Sequence, residues 1–147
     1  MDTNSIWEQM ANRYDTADRV NTANIIVQAV RAELKDAKEK TAMDYGCGTG
    51  LIGLNVCNLF KSMLLVDPSA QMLEQVHLKI ATGHIECAET LCCDFLEAVP
   101  SALKADYIIM SQVLLHIDDS RLILTKLYNV LNEDGHLLIV DFEKMIV

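Results

Sequence analysis

Proline, aromatic and basic residues are all scarce in this chain, and each scarcity excludes something. Two prolines and the lack of any Gly/Ser-rich, repetitive or low-complexity stretch leave no linker at which to divide the sequence. Its length fits one domain on the usual prior of ~100–200 residues, so residues 1–147 are expected to form a single unit. One Trp, four Tyr and three Phe against 51% hydrophobic residues imply an aliphatic core, as buried parallel strands tend to have. Twelve Lys and Arg face 21 Asp and Glu, a formal charge of −9. The one local basic excess, Lys35 to Lys40, is broken by Asp36 and Glu39. Neither nucleic acid nor an anionic membrane surface is therefore an expected partner, whereas an acidic chain mildly favours cationic ligands. No apolar run approaches the ~18 residues of a membrane span, and Met1 to Ser5 lack the basic and apolar regions of a signal peptide. The cysteines, at 47, 57, 87, 92 and 93, contain no Cys-x-x-Cys and suit neither a disulfide framework nor a tetrahedral zinc site. They read as buried thiols of a reducing compartment, and the expected location is cytoplasmic.

What is present is concentrated in residues 43–50, Met-Asp-Tyr-Gly-Cys-Gly-Thr-Gly. An acid sits two positions before three alternating glycines, after a short apolar run and ahead of a helix-like stretch reaching about Phe60. This is a strand, a tight turn and a helix. Glycines supply backbone angles that other residues avoid and let a ligand approach the main chain. Exposed N–H groups beside a helix N-terminus make a nucleotide-binding surface. Glycine spacing leaves two nucleotides open, because Gly48-x-Gly50-x-x-Gly53 also fits a dinucleotide fingerprint and Asp67 lies near the ~20-residue offset of its ribose-binding acid.

Along the chain, 5–17 and 19–37 are expected to be helical, the second with Val20, Ala23, Ile26 or Val27, Val30 and Leu34 on one stripe. Strands are expected at about 41–45, 62–66, 90–94, 106–111 and 136–141, with a turn at Asn132-Glu133-Asp134-Gly135. A helix follows Pro68, and another starts at Asp118-Asp119-Ser120. Strands alternating with helices predict an α/β fold, a doubly wound parallel sheet with helices on both faces. Three of the strands end close to an acid, namely Asp44, Asp67 and Asp94. In such sheets the ligand crevice lies at the carboxyl ends of the strands, so these carboxylates are expected around one site.

The ordered motifs resemble those of the class I S-adenosylmethionine-dependent methyltransferases, a Rossmann-like family. Asp44, Gly46, Gly48 and Gly50 match its acidic-x-Gly-x-Gly-x-Gly signature, and two helices precede the first strand, as in that family. Leu64 to Leu73 is similar to its second motif, Cys93-Asp94-Phe95 to its third, Asp106 to Ile117 to its fourth strand and exit loop, and Leu131 to Ile139 to its fifth. The resemblance implies S-adenosylmethionine as cofactor, with S-adenosylhomocysteine as product. It places Asp67 on the ribose hydroxyls, Pro68 and Met72 beside the adenine, Asp94 on its amino group and Phe95 against the ring. The methionine ammonium is expected near Asp44, Gly46 and Ser111, with Cys47, Gly48 and Gly50 completing the glycine loop. Residues 1–40 would form N-terminal helices and lid, and 41–147 the cofactor core. Tyr14, in an Arg-Tyr-Asp sequence similar to the family's lid, would border the methyl donor.

Methyl transfer is an in-line displacement that mainly requires alignment. A hydroxyl or amine acceptor also benefits from a base, and His116, after the fourth strand, is the candidate. The acceptor is expected to be a small molecule, which the sequence leaves unspecified. The family's sheet usually has seven strands, and the chain stops just after its fifth. The resulting open apolar edge, Leu137 to Phe142, is an expected docking place for a second copy or a partner chain. That edge also leaves open a non-catalytic module that binds S-adenosylmethionine or S-adenosylhomocysteine and acts through a partner. An NAD-binding domain remains the third reading.

Overall fold

The structure, a computed structural model, describes residues 13–141. The expected helix at 5–17 lies largely outside that range, and residues 14–16 are not helical. The first described helix, α1 (Ala17–Glu33), starts where the Thr16 hydroxyl accepts the Arg19 N–H at 3.3 Å. It buries Ala23, Ile26, Val27 and Val30, the stripe read from spacing. It ends earlier than expected because Leu34 turns extended and Asp36 adopts φ 51°.

Strands β1 (Thr41–Tyr45), β2 (Ser62–Asp67), β3 (Ala88–Cys92), β4 (Ala105–Ser111) and β5 (Leu131–Val140) form one sheet in the order β3-β2-β1-β4-β5. Every pairing is parallel. Helices α2 (Gly53–Val56), α3 (Ala70–Gly83) and α4 (Ser120–Val130) make the connections. Alternation along the strands divides the core in two. Ala42, Met63, Leu65, Tyr107 and Ile109 pack with α1, α2 and α3. Met43, Val66, Ile108 and Met110 point to the other face and pack with α4 and Phe95. Helices therefore cover both faces, and the central strands are near-continuous apolar runs because neither face sees water. On the second face α4 buries Ile123, Leu127 and Val130 almost completely, each worth roughly 1.5–3 kcal/mol of burial.

Three elements depart from the sequence pattern. The helix after the glycines does not run on to Phe60; α2 is one turn, followed by a 3-10 turn at Cys57–Leu59. The Asn55 side chain donates to the Leu51 carbonyl at 2.6 Å, so the Asn55 N–H turns to Ile52 instead. This is the usual competition of Asn with a helix backbone. Strand β3 is shifted two residues towards the N-terminus, with the Cys93 N–H already donating to the Asp67 carbonyl. The turn expected at 132–135 lies inside β5 as an irregularity, since Ala105 pairs with Leu131 but Tyr107 pairs with His136. Asp134 at φ 63° takes up the extra length. Asp106 fixes this end of the sheet, accepting from the Thr41 N–H at 2.9 Å and the Asn132 side-chain amide at 3.0 Å. The Thr41 hydrogen bond holds its carboxyl below the usual range.

Candidate functional site

The carboxyl ends of β1, β2 and β4 and the loop after β3 open on one cavity of about 530 Å³. Its floor is the glycine turn. The N–H groups of Gly46 and Cys47 donate to the Val66 carbonyl at 2.8 and 3.0 Å, tying the turn back to β2. Gly46 has φ 72°, and a Cβ there would lie 2.4 Å from a Val113 methyl, so only glycine lets the β4 loop close on the turn. Asp44 points under the loop and accepts the Gly53 N–H at 3.0 Å, with 2% of its surface exposed. A Cβ at Gly53 would meet that carboxylate at 2.6 Å. Gly53, the third glycine of the dinucleotide spacing, thus serves helix-to-strand packing, its role in either nucleotide reading. Burial pushes the Asp44 carboxyl up to about 7.

Asp67 ends β2 inside the same cavity. Its two oxygens accept from the Gly48 N–H and the Ser69 N–H, both at 2.9 Å. A carboxylate offers about four acceptor positions, so capacity remains for a ligand. Burial raises its pKa. Ser69 caps α3 through the Met72 N–H at 3.2 Å, and this cap brings Pro68 and Met72 to the wall. Asp94 also lines the cavity and accepts the Leu96 N–H at 2.9 Å. That turn corrects one expectation. Phe95 is fully buried in the opposite core, 4.7 Å from the Tyr45 ring, and Leu96 stands on the wall in its place. Gly50 is likewise absent from the wall. At φ 84° it packs against Leu54 and serves the turn.

Cys47 lines the cavity with its thiol turned to the Gly48 carbonyl, and burial pushes that thiol well up. Ser111, at the end of β4, brings to the same wall a buried hydroxyl with no hydrogen-bond partner among the described residues. His116 sits at the exposed rim in a 3-10 turn, Leu114–His116. Tyr14 packs over Gly48, 3.7 Å from where a Cβ would be. Arg19 lies 4.4 Å over the Tyr14 ring and donates to its carbonyl at 3.2 Å. Burial raises the Tyr14 hydroxyl pKa, so it stays protonated.

Several contacts around the site join residues that the sequence does not connect. Asp15 pairs with Lys79 of α3 at 2.7 Å and accepts the Thr49 hydroxyl, while Lys79 donates to the Thr49 carbonyl at 2.8 Å. These three residues fasten the Tyr14 segment onto the glycine turn. Asp18, Thr22, Ala23 and Ile26 of α1 also line the cavity, although periodicity reads that helix only as core. Among the described residues no group of three His, Cys, Asp or Glu is placed to hold a metal ion. No described helix is long and apolar enough to cross a membrane.

An uncharacterized methyltransferase of Schizosaccharomyces pombe is 28% identical over 109 residues, which is 69% of this chain and 38% of that protein. One of Mycobacterium bovis is 26% identical over 125 residues, 85% of this chain and 62% of that protein. The chain thus spans between about a third and two thirds of the length of these relatives. The crystal structure of a SAM-dependent methyltransferase from Aquifex aeolicus superposes with a TM-score of 0.80 at 17% identity, over 95% of this chain and 75% of that one, and shows the same fold. The family model described as a methyltransferase domain matches residues 8–146, and the chain belongs to that family.

Proposed function

We propose that this domain transfers a methyl group from S-adenosylmethionine to a small-molecule acceptor and leaves S-adenosylhomocysteine. The observation that carries this reading is the convergence on one cavity of three strand-end carboxylates and a buried Ser111 hydroxyl without a hydrogen-bond partner among the described residues. The residues fit the group. Asp67 has acceptor capacity for two vicinal ribose hydroxyls, and Asp94 for an exocyclic amino group. Pro68, Met72 and Leu96 offer apolar surface to a ring. Asp44 and Ser111, with the bared backbone of the glycine turn, suit an ammonium and carboxylate. When bound, the cofactor supplies an electrophilic methyl group on a sulfonium.

The chain's own task is alignment and exclusion of water. Tyr14, held protonated over Gly48, covers the turn, and the Asp15–Lys79–Thr49 cluster keeps it there. His116, at the cavity rim, is the base we assign to take a proton from an acceptor hydroxyl or amine. Five free cysteines fit a reducing cytoplasm.

Calorimetric titration with S-adenosylmethionine, S-adenosylhomocysteine and NAD tests the reading. Micromolar binding of the first two, about −8 kcal/mol, with none for NAD is the expected result. Binding of NAD in preference to both would overturn it.

A further inference from the structure

The strand order divides the cavity lining into a side that carries the carboxylates and a side without any. The carboxylates Asp44, Asp67 and Asp94 come from β1, β2 and the loop after β3, which are consecutive on one side of the sheet. β4 lies on the other side of β1. The loop after β4 supplies Val113, Leu115 and Ile117 to the wall, beside the polar Ser111, Gln112 and His116. Ile26 of α1 and Leu51 and Ile52 beyond the glycine turn join them. Leu115 is 51% exposed although it is a large aliphatic side chain on the cavity rim. Isolated exposed leucines are ordinary, but one that continues an aliphatic cavity wall marks a surface that an apolar ligand covers.

Charge narrows the ligand further. Among the described residues lining the cavity, histidine apart, Arg19 is the one basic side chain. Its guanidinium is engaged over the Tyr14 ring and on the Tyr14 carbonyl. Four aspartates (18, 44, 67 and 94) line the same space. A phosphate or carboxylate on the acceptor would find no spare cation in this space, the bared backbone of the glycine turn being assigned to the cofactor.

We infer that the side without carboxylates binds the methyl acceptor, and that this acceptor is a neutral, largely hydrocarbon molecule with one protic nucleophile. The inference rests on the methyltransferase reading and deepens it. In the transfer, the acceptor's lone pair forms the new bond to the methyl carbon. The carbon–sulfur bond breaks with its electron pair left on sulfur, and the nucleophile's proton passes to His116.

Equilibrium dialysis with three para-substituted aryl probes, 4-ethylphenol, 4-hydroxybenzoate and 4-hydroxyphenyl phosphate, tests the assignment. Each is measured on the free protein and on protein mixed with excess S-adenosylhomocysteine. The neutral phenol should bind about tenfold more tightly than either anion in both states. Leu115→Asp should weaken the phenol roughly fivefold and leave S-adenosylhomocysteine affinity within about twofold, since the two ligands occupy different sides. Equal or tighter binding of an anion overturns the inference, as does a phenol affinity indifferent to Leu115→Asp. A phenol preference that persists when S-adenosylhomocysteine fails to bind upholds the acceptor class and removes the cofactor assignment instead.

Discussion

At the scale of single residues, Asp44 joins support and function in one side chain. It fixes the start of α2 through the Gly53 N–H and stands on the cavity wall. The unfolded carboxyl titrates near 3.8 and the folded one at about 7. Between these values the folded chain keeps a proton that the unfolded chain has lost. The stability from this group is therefore complete below about pH 4 and is lost as pH rises through 7, up to roughly 4 kcal/mol in all. Melting temperature should fall from pH 5 to pH 8, and Asp44→Asn, which still accepts from Gly53, should flatten the profile. A bound ammonium would favour the ionised form. S-adenosylhomocysteine binding near pH 6.5 should thus release a proton, visible as a dependence of calorimetric heat on buffer ionisation enthalpy. Asp67→Ala strands the Gly48 and Ser69 N–H groups as well as the ligand hydroxyls, and should weaken S-adenosylhomocysteine by about 1–3 kcal/mol. Unchanged affinity in a folded variant would remove the ribose assignment. The strand-end acids were legible in sequence because each follows an apolar run. Phe95 was not, since the direction of the turn after β3 depends on the Asp94–Leu96 hydrogen bond, which spacing does not encode.

At the scale of elements, the segment before α1 is fastened to two others by a small polar cluster. The Asp15–Lys79 pair leaves a third of each side chain exposed, so alone it is worth about 0.5–1 kcal/mol. On the proposed reading, in which the Tyr14 segment covers the bound cofactor, its leverage is on rates. Lys79→Met should leave the melting temperature within a few degrees and speed S-adenosylhomocysteine dissociation about two- to fivefold, read by stopped-flow displacement. Raising salt from 0.05 to 0.5 M should speed release from the parent chain and not from the variant. An off-rate unmoved by the substitution would mean that Tyr14 packing alone holds the cover. This cluster was invisible in sequence, since Asp15, Thr49 and Lys79 belong to three separate elements and meet only through the fold. Helix and strand order was readable, because apolar periodicity is local. Lengths were less so: Asn55 cuts α2 to one turn, and the irregularity within β5 turns an expected loop into strand.

At the scale of the whole molecule, the sheet is most deeply buried at its centre. The described residues of β1, β2 and β4 are mostly buried, whereas β3 and β5 are half-exposed edges. Native-state hydrogen exchange should give the slowest amides in β1 and β4, with β3 and β5 opening at lower free energy. Similar protection across all five strands would mean that the edges do not open independently of the centre. The order β3-β2-β1-β4-β5 has a further consequence for a chain made from its N-terminus. β1, β2 and β3 can pair as soon as residue 92 has left the ribosome, but β4 ends at residue 111. Until then the free side of β1, the future centre of the molecule, is a bare parallel edge flanked by Met43 and Tyr45, which the finished protein buries. That interval during synthesis is when this sheet is most open to wrong pairing.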